Sequence, residues 1–152
     1  MDYKREIRDW MYKEEWHIEA TFTFADGVLP IQAQQTIGLY WYNVSRKLYR
    51  RALRRHNKRC EQFTFYEMYS DDTNVHTHSI IKLPIGRDYT VEAYCKLLRQ
   101  AWRGICGRNI IIKINPIRQN QNEWIDYITK DLGNDNCDSL DLHSSYITPK
   151  TL

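Results

Sequence analysis

The amino-acid sequence predicts an α+β fold: a central, mainly antiparallel β-sheet flanked by helices. Three observations carry this expectation. Residues 16–24 alternate apolar and polar side chains with the period of a strand. Residues 34–58 switch to apolar steps of three and four, the period of a helix. Two strand-like segments, 61–70 and 75–83, are separated only by a turn cluster, so this pair lacks the βαβ rhythm of a parallel sheet.

The elements follow in order. Residues 1–14 mix charge and aromatics and form either an arm or a short helix. In 16–24, Trp16, Ile18, Ala20, Phe22 and Phe24 point one way and His17, Glu19, Thr21 and Thr23 the other, before Asp26-Gly27 and Pro30 break the strand. Ile37, Trp41, Val44, Leu48 and Ala52 then form the apolar stripe of an amphipathic helix from about Gln34 to Lys58. The aromatic run 61–70, the turn Asp71-Asp72-Thr73-Asn74 and the return strand 75–83 make a hairpin, ended by Pro84 and Gly86. A second helix is expected over 90–103, with Val91, Tyr94, Leu97, Leu98 and Ala101 on its apolar side. Gly104 and Gly107 precede a β-branched run, Asn109–Ile117. A third long helix covers about 121–132 and stops at Gly133-Asn134. The rest is polar, apart from a short strand around Tyr146-Ile147. With 152 residues and no internal repeat or low-complexity linker, one domain spanning 1–152 is expected, with a core at about 16–132 and a polar tail at 133–152.

Composition excludes some classes. No apolar run approaches the roughly 20 residues of a bilayer span, and the N-terminal residues lack a secretory stretch, so no membrane association and an intracellular location are expected. Cys60, Cys95, Cys106 and Cys137 are scattered without a Cys-x-x-Cys pair, which points away from a zinc cage or a disulfide framework. The net charge is only +3, but its distribution is uneven. Arg46, Lys47, Arg50, Arg51, Arg54, Arg55, Lys58 and Arg59 lie in a segment with no Asp or Glu, and subtracting these eight charges leaves −5 on the rest. Such a local band is either a solvated helix face or a contact for a polyanion such as DNA. Tyr40, Tyr42 and Tyr49 beside it are candidate stacking residues, whereas Trp41, Tyr94 and Trp102 sit where a core would want them.

Two constellations carry chemistry. His76 and His78 are two apart on the return strand, so both imidazoles project from one face and can converge on a divalent metal. A third ligand is available in Glu67, nine residues earlier across the hairpin. Its parity matches Phe63 and Phe65, which leaves three possibilities open: a bulge turns it, the aromatics line the site, or another group such as Glu19 or His17 serves instead. The second constellation is Tyr127-Ile128-Thr129-Lys130, which places a phenol and an ammonium three apart on one helix face. Phosphodiester cleavage needs a nucleophile for phosphorus and a cation for the non-bridging oxygens. A phenol ionises only near pH 10, so it needs a metal or a neighbouring cation. Lys130 is placed to orient phosphate or to protonate the leaving oxygen.

Phe22-Thr23-Phe24, His76-Thr77-His78 and Tyr127-Ile128-Thr129-Lys130, in that order, resemble motifs I, II and III of the HUH replication initiators of rolling-circle plasmids, small phages and circular single-stranded DNA viruses. The resemblance covers about residues 16–132. It implies a ferredoxin- or RRM-like core and a metal, Mg²⁺ or Mn²⁺, on His76 and His78. It also implies that Tyr127 nicks and rejoins single-stranded DNA at an origin, such as one carrying a stem-loop, through a 5′-phosphotyrosyl link. The released 3′-hydroxyl would prime replication in the cytoplasm of a cell hosting a phage, virus or plasmid. The Glu67-to-His76 interval is similar to the glutamate-to-histidine spacing of circular-virus initiators, which implies Glu67 as the third ligand. The departures are Thr77, where a bulky apolar residue is usual, and a single motif-III tyrosine, Tyr146 being too distant to share the helix. No Gly-x-x-x-x-Gly-Lys-Ser/Thr segment follows, so a separate helicase is expected. Two alternatives stand beside this reading: a one-tyrosine HUH transposase acting on hairpin DNA ends, and a non-catalytic single-stranded nucleic-acid-binding domain.

Overall fold

The computed structural model describes residues 2–67, 75–106, 112–118, 120–133 and 138–150. Four strands, β1 (Ile18–Thr23), β2 (Gln62–Glu67), β3 (His76–Ile81) and β4 (Ile112–Pro116), form one sheet in the order β2-β3-β1-β4, every neighbouring pair antiparallel. The sheet is thus wholly antiparallel, flanked by helices on both faces. Its βαββαβ core is the split β-α-β arrangement of ferredoxin-like proteins.

Alternation along β1 decides what each face becomes. Ile18, Ala20, Phe22 and Phe24 enter the larger core, beneath α2 (Pro30–Tyr49) and α4 (Val91–Cys106). There Phe22, Tyr40, Trp41 and Trp102 pack mostly edge to face, with centroids 4.7–6.1 Å apart. Two of the polar tips are satisfied locally, the Tyr40 hydroxyl donating to the Leu98 carbonyl at 3.0 Å and Trp41 Nε1 to Thr64 Oγ1 at 3.1 Å, whereas buried Trp102 Nε1 has no hydrogen-bond partner among the described residues. A smaller core on the opposite face collects Met11, Trp16, Phe65, Ile80, Ile125 and Ile128 under α1 (Tyr3–Lys13) and α5 (Gln121–Ile128).

Several expectations need correction. Trp16 precedes β1 and turns into the smaller core, away from Ile18. The long basic helix begins at Pro30, which suits a first helical turn because it has no N–H to satisfy. It then breaks at Arg50, whose φ of 43° and ψ of −111° are not helical, and resumes as α3 (Arg51–His56). Tyr40 and Tyr49 are buried core residues and cannot stack on a ligand; of the three tyrosines, only Tyr42 is exposed. The first helix of the chain is formed, capped by the Asp2 carboxylate accepting from the Arg5 N–H. The last long helix ends at Ile128, not Leu132, and Gly133 lies beyond its end. The Asp71–Asn74 turn, Gly107, Asn109, Asn134 and Cys137 lie outside the described residues.

The tail runs along the free edge of β2. Gln62 and Tyr146 exchange two backbone hydrogen bonds, and Phe65 bridges to Leu140. Buried Asp141 holds the tail's bend, accepting from the His143 and Ser144 N–H groups and from the Tyr66 hydroxyl. Pairing of this kind covers an edge that would otherwise present unpaired backbone groups.

Candidate active site

Strand register builds the site. Thr21 pairs with His78, Thr23 with His76, Phe65 with His78 and Glu67 with His76. All six side chains therefore project from the α1/α5 face of the sheet. That resolves the parity problem at Glu67 without a bulge: Phe63 and Phe65 share its face because they form the smaller core, and the site is the wet end of that core. Glu19 lines the same cleft, together with Lys113, Asn115 and Trp124. His17 lies at the far end of β1, where its Nδ1 accepts from the Leu83 N–H at 3.0 Å.

The groups at the centre are directly coupled. His78 Nε2 lies 2.6 Å from Glu67 Oε2, while the second Glu67 oxygen accepts from Lys130. Thr21 Oγ1 is 3.0 Å from His78 Nδ1 and Thr23 Oγ1 is 3.3 Å from His76 Nδ1, so each ring is oriented by a hydroxyl from β1. Tyr127 stands above them, 42% exposed, with its ring centroid 5.2 Å from that of His78. Trp124 stacks on it at 5.5 Å, and the Lys130 ammonium lies 4.4 Å from the ring centre. Lys130 reaches this place from a tight turn after α5, its N–H bonding to the Tyr127 carbonyl, rather than from the helix face expected. Tyr127 and Lys130 thus meet Glu67 and His78 across the fold.

The electrostatics follow from this packing. Burial pushes the Glu67 carboxyl up, but hydrogen bonds from His78 and Lys130 outweigh it and hold it below the ordinary carboxylate value. Burial lowers His78, and the opposing Glu67 bond does not make up the difference. The hydrogen bond to Glu67 holds the Lys130 ammonium above the usual lysine value. Burial alone raises Glu19.

The donor set of two imidazoles and one carboxylate suits a divalent ion. Among the described residues, no three His, Cys, Asp or Glu side chains stand in a ligating arrangement, and Glu67 and His78 are bonded directly to each other. The threonine contacts take both Nδ1 atoms, so Nε2 is the ring nitrogen that would serve a metal. Three contributors to the site escaped the sequence reading. Thr21 was legible only as a polar strand residue and Thr23 only as the centre of Phe22-Thr23-Phe24, since their register against the histidines is a tertiary fact. Trp124 carries the i, i+3 spacing to Tyr127, the one signal that could have found it.

The basic band lies elsewhere. Arg46 and Lys47 in α2, Arg50, Arg51, Arg54 and Arg55 in and beside α3, and Lys58 and Arg59 after it belong to the α2/α4 side of the sheet, opposite Tyr127. No family model, curated protein or solved structure matches the chain.

Proposed function

We propose that this protein is a metal-assisted single-strand DNA nickase of the HUH type, with Tyr127 as the nucleophile. One observation carries the reading: an exposed phenol, a lysine, a carboxylate and a histidine pair, spread over 63 residues of chain, meet at the mouth of one open cleft. A structural tyrosine at this position would be expected to bury its ring, as Tyr40 and Tyr94 do.

In this reading the chain's residues do five things. Thr21 and Thr23 fix the imidazole rings, and a hydroxyl can accept from or donate to Nδ1 as the tautomer requires. His76, His78 and Glu67 would hold the divalent ion, Mg²⁺ or Mn²⁺, by Nε2 and carboxylate oxygen. When bound, the ion would withdraw charge from a non-bridging oxygen of the scissile phosphate. Tyr127 Oη attacks phosphorus: its O–P bond forms as the P–O3′ bond breaks, the phenol proton passes to solvent, and O3′ leaves as a hydroxyl after taking up a proton. Lys130 lies where it can meet phosphate charge or supply that proton, and Trp124 offers a stacking surface for a neighbouring base. Rejoining is the same exchange in reverse.

Priming of rolling-circle replication, with a separate helicase, is the role this chemistry suits. A one-tyrosine transposase would use the same groups, and joining of hairpin ends in place of origin nicking would reveal it. Incubation with end-labelled single-stranded DNA and Mn²⁺ tests the reading. An SDS-resistant adduct, lost in His76→Ala and His78→Ala, is expected; metal-independent cleavage by those variants would remove the metal assignment.

A further inference from the structure

The polar tail lines no part of the Tyr127 cleft, yet it is bonded to the strand that carries Glu67. That strand, β2, is at the edge of the sheet, and Glu67 is its last residue. Alternate residues of an edge strand turn their backbone groups outward, and here the tail takes them in succession. Gln62 exchanges two bonds with Tyr146, both at 2.9 Å. The Thr64 carbonyl accepts from the Asp141 N–H at 2.9 Å, and the Thr64 N–H donates to Ser145 Oγ at 3.0 Å. Tyr66, next to Glu67, is tied twice: its N–H donates to the Ser139 carbonyl at 2.7 Å and its hydroxyl to Asp141 Oδ2 at 2.8 Å. Leu140, between those two tail residues, packs with Phe65 in the smaller core.

Asp141 is a costly group to place here. It is 1% exposed, and no cation is paired with it among the described residues. Neutral donors hold its carboxylate: the His143 and Ser144 N–H groups and the Ser144 and Tyr66 hydroxyls. A buried charge needs such partners, and only the Tyr66 hydroxyl comes from outside the tail. Burial, and then the Asp141 charge, push the Tyr66 phenol far up, so it stays protonated and remains the donor. Covering the edge against stray pairing would need only the backbone bonds, and no buried carboxylate. Glu67 is exacting in its turn. Its two oxygens serve different partners, His78 Nε2 at 2.6 Å and Lys130, so a small shift of the strand end breaks one bond or both. We propose that Tyr66 and Asp141 are positioning residues: through them the tail clamps the end of β2 from its free edge and sets the Glu67 carboxylate against His78 and Lys130. The use of that carboxylate as a metal ligand rests on the nickase reading; its placement by the tail does not.

The test uses the full chain with Asp141→Ala or with Tyr66→Phe, which removes only the hydroxyl, and takes Glu67→Gln as the reference. Melting curves show which variants are folded, and both readouts are taken well below the transition. The first needs no metal: the nitrogen NMR shifts of the His78 ring at fixed pH, which report its bond to Glu67. Both variants should move Nε2 toward its position in Glu67→Gln, Asp141→Ala further than Tyr66→Phe. The second is affinity for Mn²⁺, followed by electron paramagnetic resonance of the free ion. Loss of a group that orients a ligand costs about 10–100-fold, and acting at one remove Asp141→Ala should cost about tenfold. In the Glu67→Gln background the same substitution should cost less than about twofold, because a residue that acts through Glu67 has nothing left to place. An unmoved His78 ring in a folded variant overturns the proposal. So does an undiminished Mn²⁺ loss in the Glu67→Gln background, which would send the effect by another route. Wild-type protein that binds no Mn²⁺, while the His78 ring moves as expected, would sink the metal-assisted nickase reading and leave the clamp standing.

Discussion

Thr77 sits between the two site histidines and points the other way, fully buried beneath α2 and α4, where its hydroxyl finds no hydrogen-bond partner among the described residues. A buried unpaired hydroxyl costs about 1–3 kcal/mol, and valine has nearly the same shape. Thr77→Val is therefore expected to raise unfolding free energy by roughly 1 kcal/mol in urea, at unchanged m-value; a loss of stability would mean that the hydroxyl is satisfied. The threonine between the histidines is thus a matter of core packing and leaves the histidines' face untouched. The opposite face gives a sharper expectation. Thr21→Val removes the oxygen beside His78 Nδ1 while keeping the strand, and loss of such a partner lowers metal affinity or activity by about 10–100-fold. Titration of Mn²⁺-dependent cleavage measures this; wild-type metal response in the variant would deny Thr21 its orienting role.

Helices α1 and α5 show how an element positions a residue. Arg8 of α1 donates from Nε to Thr129 Oγ1 at 2.6 Å and from Nη2 to the Asp126 carbonyl at 2.9 Å, and Lys4 donates to the Lys130 carbonyl at 2.8 Å. The first helix thus clasps the end of the short helix that carries Tyr127. Arg8→Ala should cost about 1–3 kcal/mol in the melt through these bonds, and an unchanged melting curve would show that the clasp contributes nothing. The break at Arg50 makes a second expectation. Its φ of 43° with ψ of −111° is a conformation glycine adopts more readily, so Arg50→Gly should stabilise the chain by about 1 kcal/mol. Denaturant unfolding decides, and destabilisation would show that the arginine side chain outweighs its backbone cost.

Much at this scale was legible from periodicity. The strand at 18–23 falls where alternation puts it, and those at 62–67 and 76–81 where aromatic content and the turn cluster put them. The helix at 91–106 follows the three-four stripe but runs on through Gly104, which was expected to lie past its end. The break at Arg50 was not legible, because an unbroken apolar stripe runs through it and no glycine or proline marks it. The early stop of α5 at Ile128 was hidden for a similar reason: Leu132 keeps helical spacing but reaches the smaller core from a turn. Tyr40 and Tyr49 looked like surface residues because the sequence shows a helix's period but not which neighbours close over it.

At the scale of the whole molecule, a two-sided sheet separates the roles. One face is a large aromatic core under α2 and α4; the other is shared between a small core and the cleft. The termini are stitched together at Glu14, whose carboxylate accepts from Lys82 at 2.5 Å and Lys150 at 2.6 Å. Those hydrogen bonds, Lys150 foremost and then Lys82, hold the Glu14 carboxyl below its ordinary value near 4.5. With a folded value below the unfolded one, the stabilisation is full above the unfolded value and is lost as pH falls through the folded one. Glu14→Gln should therefore lower stability near pH 7 and flatten the acid limb of a melting-temperature profile below about pH 4.5; an unaltered limb would show that the pairs add nothing.

In the nickase reading Tyr127 becomes covalently joined to DNA. Mass analysis of the proteolysed, nuclease-trimmed adduct formed with single-stranded DNA and Mn²⁺ tests it most directly. A nucleotide carried through its 5′-phosphate is expected on the peptide containing Tyr127, and none in Tyr127→Phe. An adduct on any other residue, or one that survives in that variant, would contradict it.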